Sequence, residues 1–141
     1  DLLWQVNLKA PFLISQVAFE AMLKKGKGHI INIGSIGGQI GGVQQAHYAV
    51  MKGGLETLTK SLARLGAEHG IYCFTISPGV VETDMLLKMN PDVGSLEINI
   101  PQRRLGKKDN IGDLICDLCA EHWSYASGIT INFNGGLLLK S

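Results

Sequence analysis

Residues 29–34 read His-Ile-Ile-Asn-Ile-Gly, and this short stretch decides the fold of the chain. It is β-branched and apolar on both faces, which is typical of a strand buried in a parallel sheet. Residues 71–77 form a second continuous apolar run, and residues 129–133 form a last short one. The sequence therefore predicts three buried strands.

Helical periodicity fills the intervals between these strands. It predicts helices over residues 1–25, 46–69 and 109–122, the last with Asp109 or Asn110 as its N-cap. The predicted apolar positions are Val6, Phe12, Leu13, Val17, Phe19 and Met22 in the first helix, Leu55, Leu58, Leu62 and Leu65 in the second, and Ile111, Leu114, Ile115 and Leu118 in the third. Strands that alternate with such helices predict an α/β fold with a doubly wound parallel sheet. Ligands of such sheets bind beyond the C-terminal ends of the strands.

Two segments rich in glycine or proline interrupt this pattern. Residues 37–42 contain four glycines and predict a flexible loop beside a bound ligand, with a merely mobile loop as the alternative. Their spacing does not match the G-x-G-x-x-G fingerprint of dinucleotide-binding turns. Apolar residues are scattered from Met85 to Arg104, which predicts a mobile substrate lid of short helices at about residues 85–108.

Pro11 lies inside the first predicted helix. A proline cannot donate to the carbonyl group four residues earlier, and its ring pushes against that group. We therefore expect a kink that leaves the main-chain carbonyl of Asn7 free for water or for a partner, although spacing alone favours a plain kink with a solvated Asn7.

Composition excludes several classes of function. A net charge of +1 over 141 residues offers no basic field for nucleic acid. No apolar run reaches the roughly 18 residues that span a bilayer, and the start of the chain does not resemble a secretory leader. The first residues already have a helical pattern and lack an initiator Met, so we expect the chain to begin inside a domain.

Three cysteines suit a reducing compartment better than a disulfide framework, so we expect a cytoplasmic location. Cys116 and Cys119 form a C-x-x-C motif inside the third predicted helix. No second ligand pair accompanies them, and we interpret both as packing residues and expect no metal site.

Tyr48 and Lys52 carry the chemistry that the residues alone suggest. Their spacing of four places both side chains on one face of the second predicted helix. A nearby ammonium group favours the phenolate form of a tyrosine, so such a pair can exchange a proton with a substrate oxygen. Taken alone, the pair is better explained as two surface residues that share a face by chance.

Other motifs along the chain favour a catalytic role for Tyr48 and Lys52. Their residues and their order resemble those of the short-chain dehydrogenase/reductase family. Residues 6–10 resemble the family's h-N-h-x-G motif with Ala10 in place of Gly, and residues 28–35 resemble its G-x-h-h-x-h-S-S strand. Tyr48 and Lys52 keep the two ends of Y-x-[AS]-[ST]-K, with Ser35 thirteen residues before the tyrosine.

Two further motifs extend the resemblance to nearly the whole chain. Residues 78–83 resemble P-G-x-x-x-T, and residues 104–136 resemble the closing R-h-G and G-x-x-h-x-h-[DN]-G-G motifs. The resemblance implies a Rossmann-type fold, of which this chain would be the C-terminal half.

The resemblance also implies a role for each matching residue. Tyr48 would be the catalytic acid/base, Lys52 would favour its phenolate and hydrogen-bond the nicotinamide ribose, and Ser35 would hold the substrate carbonyl or hydroxyl group. Asn7 would hold a water of the proton relay through its main-chain carbonyl. The residues implied to contact the cofactor are Tyr48, Lys52, Pro78, Gly79, Val81 and Thr83.

The family also implies the cofactor, the substrate class and the assembly. The cofactor would be NAD or NADP, with NADP favoured, and the substrate would be a small molecule that interconverts between carbonyl and alcohol. Homo-oligomers, dimers or tetramers, are expected, because the first two helices of the chain are long and rich in apolar residues.

Within the family, Pro78–Met85 and the Asn-Gly-Gly tail most resemble 3-oxoacyl-[acyl-carrier-protein] reductases. Four residues depart from the family's usual pattern. Val50 and Met51 are bulkier than the small residues expected in the catalytic turn, Phe74 replaces Asn or Ser, and Tyr72 replaces a basic residue. These changes predict either altered packing or a relaxed site.

The glycine-rich T-G-x-x-x-G-x-G turn, the residue that selects NAD or NADP, and the N-N-A-G strand are not in this sequence. The prediction is therefore one partial domain over residues 1–141, lacking the N-terminal dinucleotide-binding βαβ units. The strand at residues 30–33 would then expose an unpaired edge. The chain is part of a longer protein, is completed by another polypeptide, or assembles with itself, and we favour the first.

Two functional hypotheses follow. The first is an oxidoreductase that is complete only with an N-terminal half, because a scaffold has no need of Ser35, Tyr48, Lys52 and Asn7 together. The second is a non-catalytic remnant that acts as a partner subunit.

Overall fold

Three parallel strands form one sheet in the part of the chain that the structure describes. The computed structural model describes residues 1–42, 44–90 and 92–139. The strands are β1 (Gly28–Ile33), β2 (Ile71–Pro78) and β3 (Thr130–Phe133), and they are arranged in the order β1-β2-β3. The predicted strands and their parallel direction are confirmed, with β2 paired to β1 on one side and to β3 on the other.

Three main helices connect and cover the strands. They are α1 (Ala10–Lys25), α2 (Ala46–Gly66) and α3 (Lys108–Leu118). Short α-helices lie at Leu2–Trp4, Gly37–Ile40, Asp84–Met89 and Val93–Glu97, a π-helix lies at Gln5–Lys9, and 3₁₀-helices lie at Ala67–His69 and Glu121–Ala126. The fold is the predicted α/β arrangement, with three strands of an incomplete Rossmann-type sheet.

The first predicted helix is interrupted, as Pro11 led us to expect. The α-helix at Leu2–Trp4 passes into the π-helix, where the Ala10 amide donates to the Gln5 carbonyl, five residues back. Pro11 follows at the start of α1 and, because it has no N–H, donates no hydrogen bond to the carbonyls of the preceding turn. The π-helical turn therefore absorbs the disruption that the proline causes.

The third predicted helix is wrong at both ends. Lys107, and not Asp109 or Asn110, is the N-cap of α3, and the Asn110 side chain accepts the Lys107 amide at 3.2 Å. The α-helix ends at Leu118, and the chain continues into the 3₁₀-helix Glu121–Ala126.

Apolar clusters lie on both faces of the sheet, as expected for a doubly wound fold. On one face, Phe19 and Met22 of α1 and Leu62 of α2 pack with Ile71 and Cys73 of β2. On the other face, Leu118 of α3 packs against Phe74 and Ile76 of the same strand. Strand β2 is therefore the centre of both cores, which explains why its residues are apolar on both faces.

Several predicted core positions are exposed. Leu65 of α2 is 65% exposed, and four positions of the first predicted helix are exposed as well, namely Val6, Phe12, Leu13 and Val17. Cys116 and Cys119 are also exposed, so their interpretation as packing residues is wrong. Periodicity identifies the apolar face of a helix, but it does not show how much of that face another element covers.

Cysteine accessibility gives the first testable prediction. Cys73 is buried at 0% exposure, and burial raises the pKa of its thiol from 9.0 to about 11. We expect the folded protein to react with iodoacetamide at pH 8 at Cys116 and Cys119 but not at Cys73, because the thiolate is the reactive form. Cys73 should react after unfolding, which peptide mass spectrometry can measure.

The same shift in pKa fixes a pH dependence of stability. The unfolded Cys73 thiol loses its proton near pH 9, whereas the folded one keeps it up to about pH 11. Stability should therefore fall as pH rises between these values. The C73A variant should lose less unfolding free energy over this range, and equal losses in both proteins would contradict the assignment.

A buried polar network joins the sheet to α2. Asn32 of β1 donates to the Thr59 hydroxyl at 2.9 Å, Thr75 of β2 donates to the same oxygen at 2.8 Å, and Thr59 donates to the Leu55 carbonyl at 2.9 Å. Thr59 and Thr75 are both 0% exposed. One hydroxyl therefore links two strands and one helix.

Removal of that hydroxyl should destabilise the fold. The T59V variant keeps the side-chain volume but leaves the Asn32 amide and the Thr75 hydroxyl buried without this acceptor. We expect a loss of about 2 kcal/mol in the free energy of unfolding, measured by urea denaturation. T57V is the matched control, because Thr57 is exposed on the same helix. Equal losses of unfolding free energy in T59V and T57V would show that the network does not contribute to stability.

Strand β1 has one paired side. Among the described residues its only neighbour in the sheet is β2, in agreement with the expected open edge. Within the same residues, no helix has the length and apolar character needed to span a membrane.

Candidate active site

Three of the predicted site residues lie at the C-terminal end of the sheet. Ser35 follows β1, Pro78 ends β2, and Tyr48 lies in the first turn of α2. The amide of Gly34 donates to the Ile76 carbonyl at 2.7 Å, and the amide of Ile36 donates to the Pro78 carbonyl at 3.2 Å. The segment that carries Ser35 is therefore held beside β2 beyond the end of the strand.

Gly37 lies between Ser35 and Tyr48. The Gly37 amide donates to the Ser35 Oγ at 3.1 Å. A Cβ atom placed on Gly37 would lie 3.5 Å from that Oγ and 3.9 Å from two ring carbons of Tyr48. The hydroxyl of Ser35 and the ring of Tyr48 thus border the same small space, and both side chains are half-buried.

Lys52 lies one turn beyond Tyr48 on α2, as predicted. Its Nζ atom is 5.7 Å from the centroid of the Tyr48 ring and donates to the Ile33 carbonyl at 3.0 Å. Desolvation by burial lowers the pKa of Lys52 from its ordinary value. The carbonyl at the end of β1 therefore fixes the position of the ammonium group.

The segment after Ser35 is not the loop that its glycines predict. Residues Gly37–Ile40 form a short α-helix against α2. A Cβ atom on Gly38 would lie 2.6 Å from the Gly53 amide nitrogen and 2.7 Å from the Lys52 carbonyl carbon. Glycine is required here by the close approach of two backbones, and the packed helix does not fit the expected flexible loop.

Asn7 lies in the π-helix Gln5–Lys9, and its side-chain amide donates to the Leu3 carbonyl at 3.1 Å. The neighbouring Leu8 lies against Gly54, where a Cβ atom would come within 3.1 Å of the leucine side chain. Gly54 is two residues after Lys52, so this contact packs the Asn7 segment against the helix of Tyr48.

The segment after β2 carries the remaining predicted residues. Gly79 donates its amide to the Phe133 carbonyl at 3.1 Å, which ties the segment to β3. Val81 forms an isolated bridge with Gly106. The Thr83 hydroxyl accepts the Leu86 amide at 3.1 Å and so caps the helix Asp84–Met89. These contacts fix Pro78, Gly79, Val81 and Thr83 in the segment that follows β2.

The residues that depart from the family pattern lie in packed or exposed positions. Val50 is 65% exposed on α2, whereas Met51 is 2% exposed and Phe74 is 0% exposed. Tyr72 is half-buried beside His29, with 5.6 Å between their ring centroids. Met51 and Phe74 are therefore core residues, whereas Val50 faces solvent.

Sequence reasoning missed two contributors to this geometry. The Ile33 carbonyl holds Lys52, and a main-chain acceptor leaves no signal in side-chain identity. Gly53 also lies against Gly38: a Cβ atom placed on Gly53 would be 2.9 Å from the Gly38 carbonyl oxygen. The paired glycines at 37–38 and 53–54 are a signal of close approach that could have revealed this contact.

Among the described residues, no three His, Cys, Asp or Glu side chains converge as a metal site would require. The groups that do converge are a phenol, an ammonium and a hydroxyl. Such a set can orient a substrate oxygen and transfer a proton to or from it.

A family model described as enoyl-(acyl carrier protein) reductase matches residues 1–138. An acetoacetyl-CoA reductase from Allochromatium vinosum is 42% identical over 95% of this chain and 55% of its own length. The 3-oxoacyl-[acyl-carrier-protein] reductase FabG of Vibrio cholerae is 35% identical over 96% of this chain and 56% of its own length.

Another relative and a solved structure agree with these matches. The human (3R)-3-hydroxyacyl-CoA dehydrogenase is 38% identical over 95% of this chain and 52% of its own length. The crystal structure of acetoin dehydrogenase YohF from Salmonella typhimurium superposes with a TM-score of 0.84 at 34% identity, covering 96% of this chain and 53% of that one. The chain thus spans about half the length of the curated relatives it matches.

Proposed function

The chain belongs to the short-chain dehydrogenase/reductase family, and from this premise we propose that it carries the catalytic half of an NAD(P)-dependent oxidoreductase. The reaction interconverts a carbonyl group and an alcohol. The observation that carries this proposal is the position of Gly37, which brings the Ser35 hydroxyl and the Tyr48 ring to one space, one helical turn from Lys52.

Each group has a separate role in the reduction direction. Tyr48 donates its phenolic proton to the substrate oxygen, and the Ser35 hydroxyl donates a hydrogen bond to the same oxygen. Lys52 stabilises the phenolate that remains, because its Nζ atom lies 5.7 Å from the ring centroid. The main-chain carbonyl of Asn7 holds a water that returns a proton. These roles need fixed geometry, which the Gly37 amide provides for Ser35 and the Ile33 carbonyl provides for Lys52.

The donor set fits a nicotinamide cofactor. An ammonium group has three donors, so the Lys52 bond to Ile33 leaves donors for the hydroxyl groups of a ribose. Thr83 accepts the Leu86 amide, and its own hydroxyl proton has no acceptor among the described residues, so it can donate to a cofactor. When bound, the cofactor supplies the hydride. Pro78, Gly79 and Val81 would line the nicotinamide, and we favour NADP over NAD.

We propose a 3-oxoacyl thioester as the substrate class. Three relatives support this class by their names, which specify acetoacetyl-CoA, 3-oxoacyl-[acyl-carrier-protein] and (3R)-3-hydroxyacyl-CoA. Residues 85–108 would be the lid that closes over this substrate. Their exposed apolar side chains include Met85, Met89 and Ile98, and the segment is anchored by Ile100 and Leu105, which are 2% and 5% exposed.

Apolar exposure also supports a homo-oligomer. Val6, Phe12, Leu13, Ile14 and Val17 are between 47% and 71% exposed along the π-helix and α1. We propose that this surface packs against a second copy of the chain in a dimer or a tetramer. Light scattering coupled to size-exclusion chromatography should then give at least twice the protomer mass.

The activity is tested on the protein made from its full coding sequence. NADPH oxidation is followed at 340 nm with acetoacetyl-CoA as substrate, with NADH in a parallel series. Turnover with acetoacetyl-CoA supports the proposal. If NADPH and NADH neither bind nor turn over, the oxidoreductase hypothesis is wrong, and the hypothesis of a non-catalytic partner subunit replaces it.

A further inference from the structure

The short helix Gly37–Ile40 follows Ser35 and is held by contacts with helix α2 and with strand β3. On one side, Gly38 meets the backbone of α2 at Lys52 and Gly53. On the other side, the Gln39 side chain reaches strand β3, where its Nε2 atom donates to the Asn132 Oδ1 at 2.7 Å. The second contact joins residues 93 positions apart in the chain and has no counterpart in the motifs above.

The bond between Gln39 and Asn132 is the polar contact that orients the Gln39 side chain. Its Oε1 atom is buried and has no hydrogen-bond partner among the described residues. Asn132 lies on β3 and borders a cavity of about 230 Å³. Loss of this bond would leave the Gln39 amide, whose Oε1 atom is already buried without a partner among the described residues, with no hydrogen bond to hold it, which is unfavourable.

We propose that Gln39 and Asn132 form a tether that positions Ser35 for the reaction, an inference that rests on the proposed function. The tether acts through the Gly37 amide, which donates to the Ser35 Oγ and lies two residues before Gln39. Movement of the Gly37–Ile40 helix away from β3 shifts this donor and rotates the hydroxyl. Gln39 and Asn132 are positioning residues and do not touch the reacting atoms.

The expected effect is on the chemical step. A displaced Ser35 orients the substrate oxygen less well, and small displacements at a reacting centre are costly in rate. We expect Tyr48 and Lys52 to keep their positions, because both lie on α2 and Lys52 bonds to the Ile33 carbonyl of β1. We expect a kcat about tenfold lower when the tether is cut, with the KM for NADPH unchanged.

Two substitutions of Asn132 distinguish loss of the hydrogen bond from other effects of changing this residue. N132L removes the acceptor atom at similar volume, whereas N132D keeps an oxygen that accepts the Gln39 amide. N132L should lower kcat, and N132D should retain most of the wild-type value. Q39M should match N132L, and the double variant Q39M/N132L should lose no more than either single one.

The isotope effect distinguishes positioning from a general loss of structure. With NADPH deuterated at the transferred position, N132L should show a larger isotope effect on kcat than the wild type, because the chemical step becomes more rate-limiting. An unchanged isotope effect, with activity reduced only in proportion to the folded fraction, would overturn the positioning role.

Hydrogen exchange tests the tether without any turnover. The amides of residues 37–40 should exchange faster in N132L than in N132D, and equal exchange in the two variants would refute the tether. A wild-type protein that turns over no carbonyl substrate would refute the proposed function and the positioning role, whereas the exchange comparison would still decide whether the tether exists.

Discussion

The Y48F variant of the protein should reduce acetoacetyl-CoA with a kcat about 10²- to 10⁴-fold lower than that of the wild type, the share that a positioned general acid supplies. The substitution removes the phenolic oxygen and keeps the ring that borders Gly37. Because Lys52 is held by the Ile33 carbonyl, the KM for NADPH should change little. Steady-state kinetics with both substrates varied give the two constants.

The matched control for this substitution is Y125F. Tyr125 is fully exposed in the 3₁₀-helix Glu121–Ala126, so loss of its hydroxyl should leave kcat unchanged. The free energy of unfolding of both variants should lie within about 0.5 kcal/mol of the wild-type value. A Y48F variant that keeps a third or more of the wild-type kcat would remove Tyr48 from the role of acid.

The G38A variant should lose about 3 kcal/mol of unfolding free energy, at the upper end of the range for overpacking. The added methyl group would lie 2.6 Å from the Gly53 nitrogen and 2.7 Å from the Lys52 carbonyl carbon. Backbone atoms cannot move aside as a flexible side chain can, so the short helix must separate from α2. Because that helix carries the amide that binds Ser35, activity should fall as well.

G112A provides the control for G38A. Gly112 lies in α3, and a Cβ atom placed there meets nothing within 4 Å. Alanine should therefore stabilise the protein by roughly 0.5–1 kcal/mol through its higher helix propensity. Urea denaturation of both variants tests the pair. If G38A is as stable as G112A, the close approach of the two backbones does not exist in solution.

The fold could be predicted because its strands depend on local pattern. Residues 29–34 and 71–77 are apolar on both faces, and the structure buries them in a parallel sheet. Tyr48 and Lys52 could be assigned to one helical face for the same reason, because their spacing is local. Ser35 was placed near them by resemblance, and its approach to the Tyr48 ring depends on tertiary packing at Gly37.

The remaining features depend on contacts between distant segments. The four glycines after Ser35 predict a loop, yet Gly37–Ile40 is helical because α2 supplies a surface against which it packs. The exposure of Leu65, Cys116 and Cys119 depends equally on what covers each helix face. The bond between Gln39 and Asn132 joins two polar residues whose identities carry no local pattern.

Thr59 has a consequence for how this enzyme class can change. It lies eleven residues after Tyr48 on α2, and at about 100° per residue the two side chains point within about 20° of each other. The bonds from Asn32 and Thr75 to the Thr59 hydroxyl therefore fix the rotation of α2 about its axis. The direction of the Tyr48 side chain, three helical turns earlier, depends on that rotation. Laboratory selection for new substrates should accordingly accept changes at residues 85–98 and reject them at Thr59, which is fully buried.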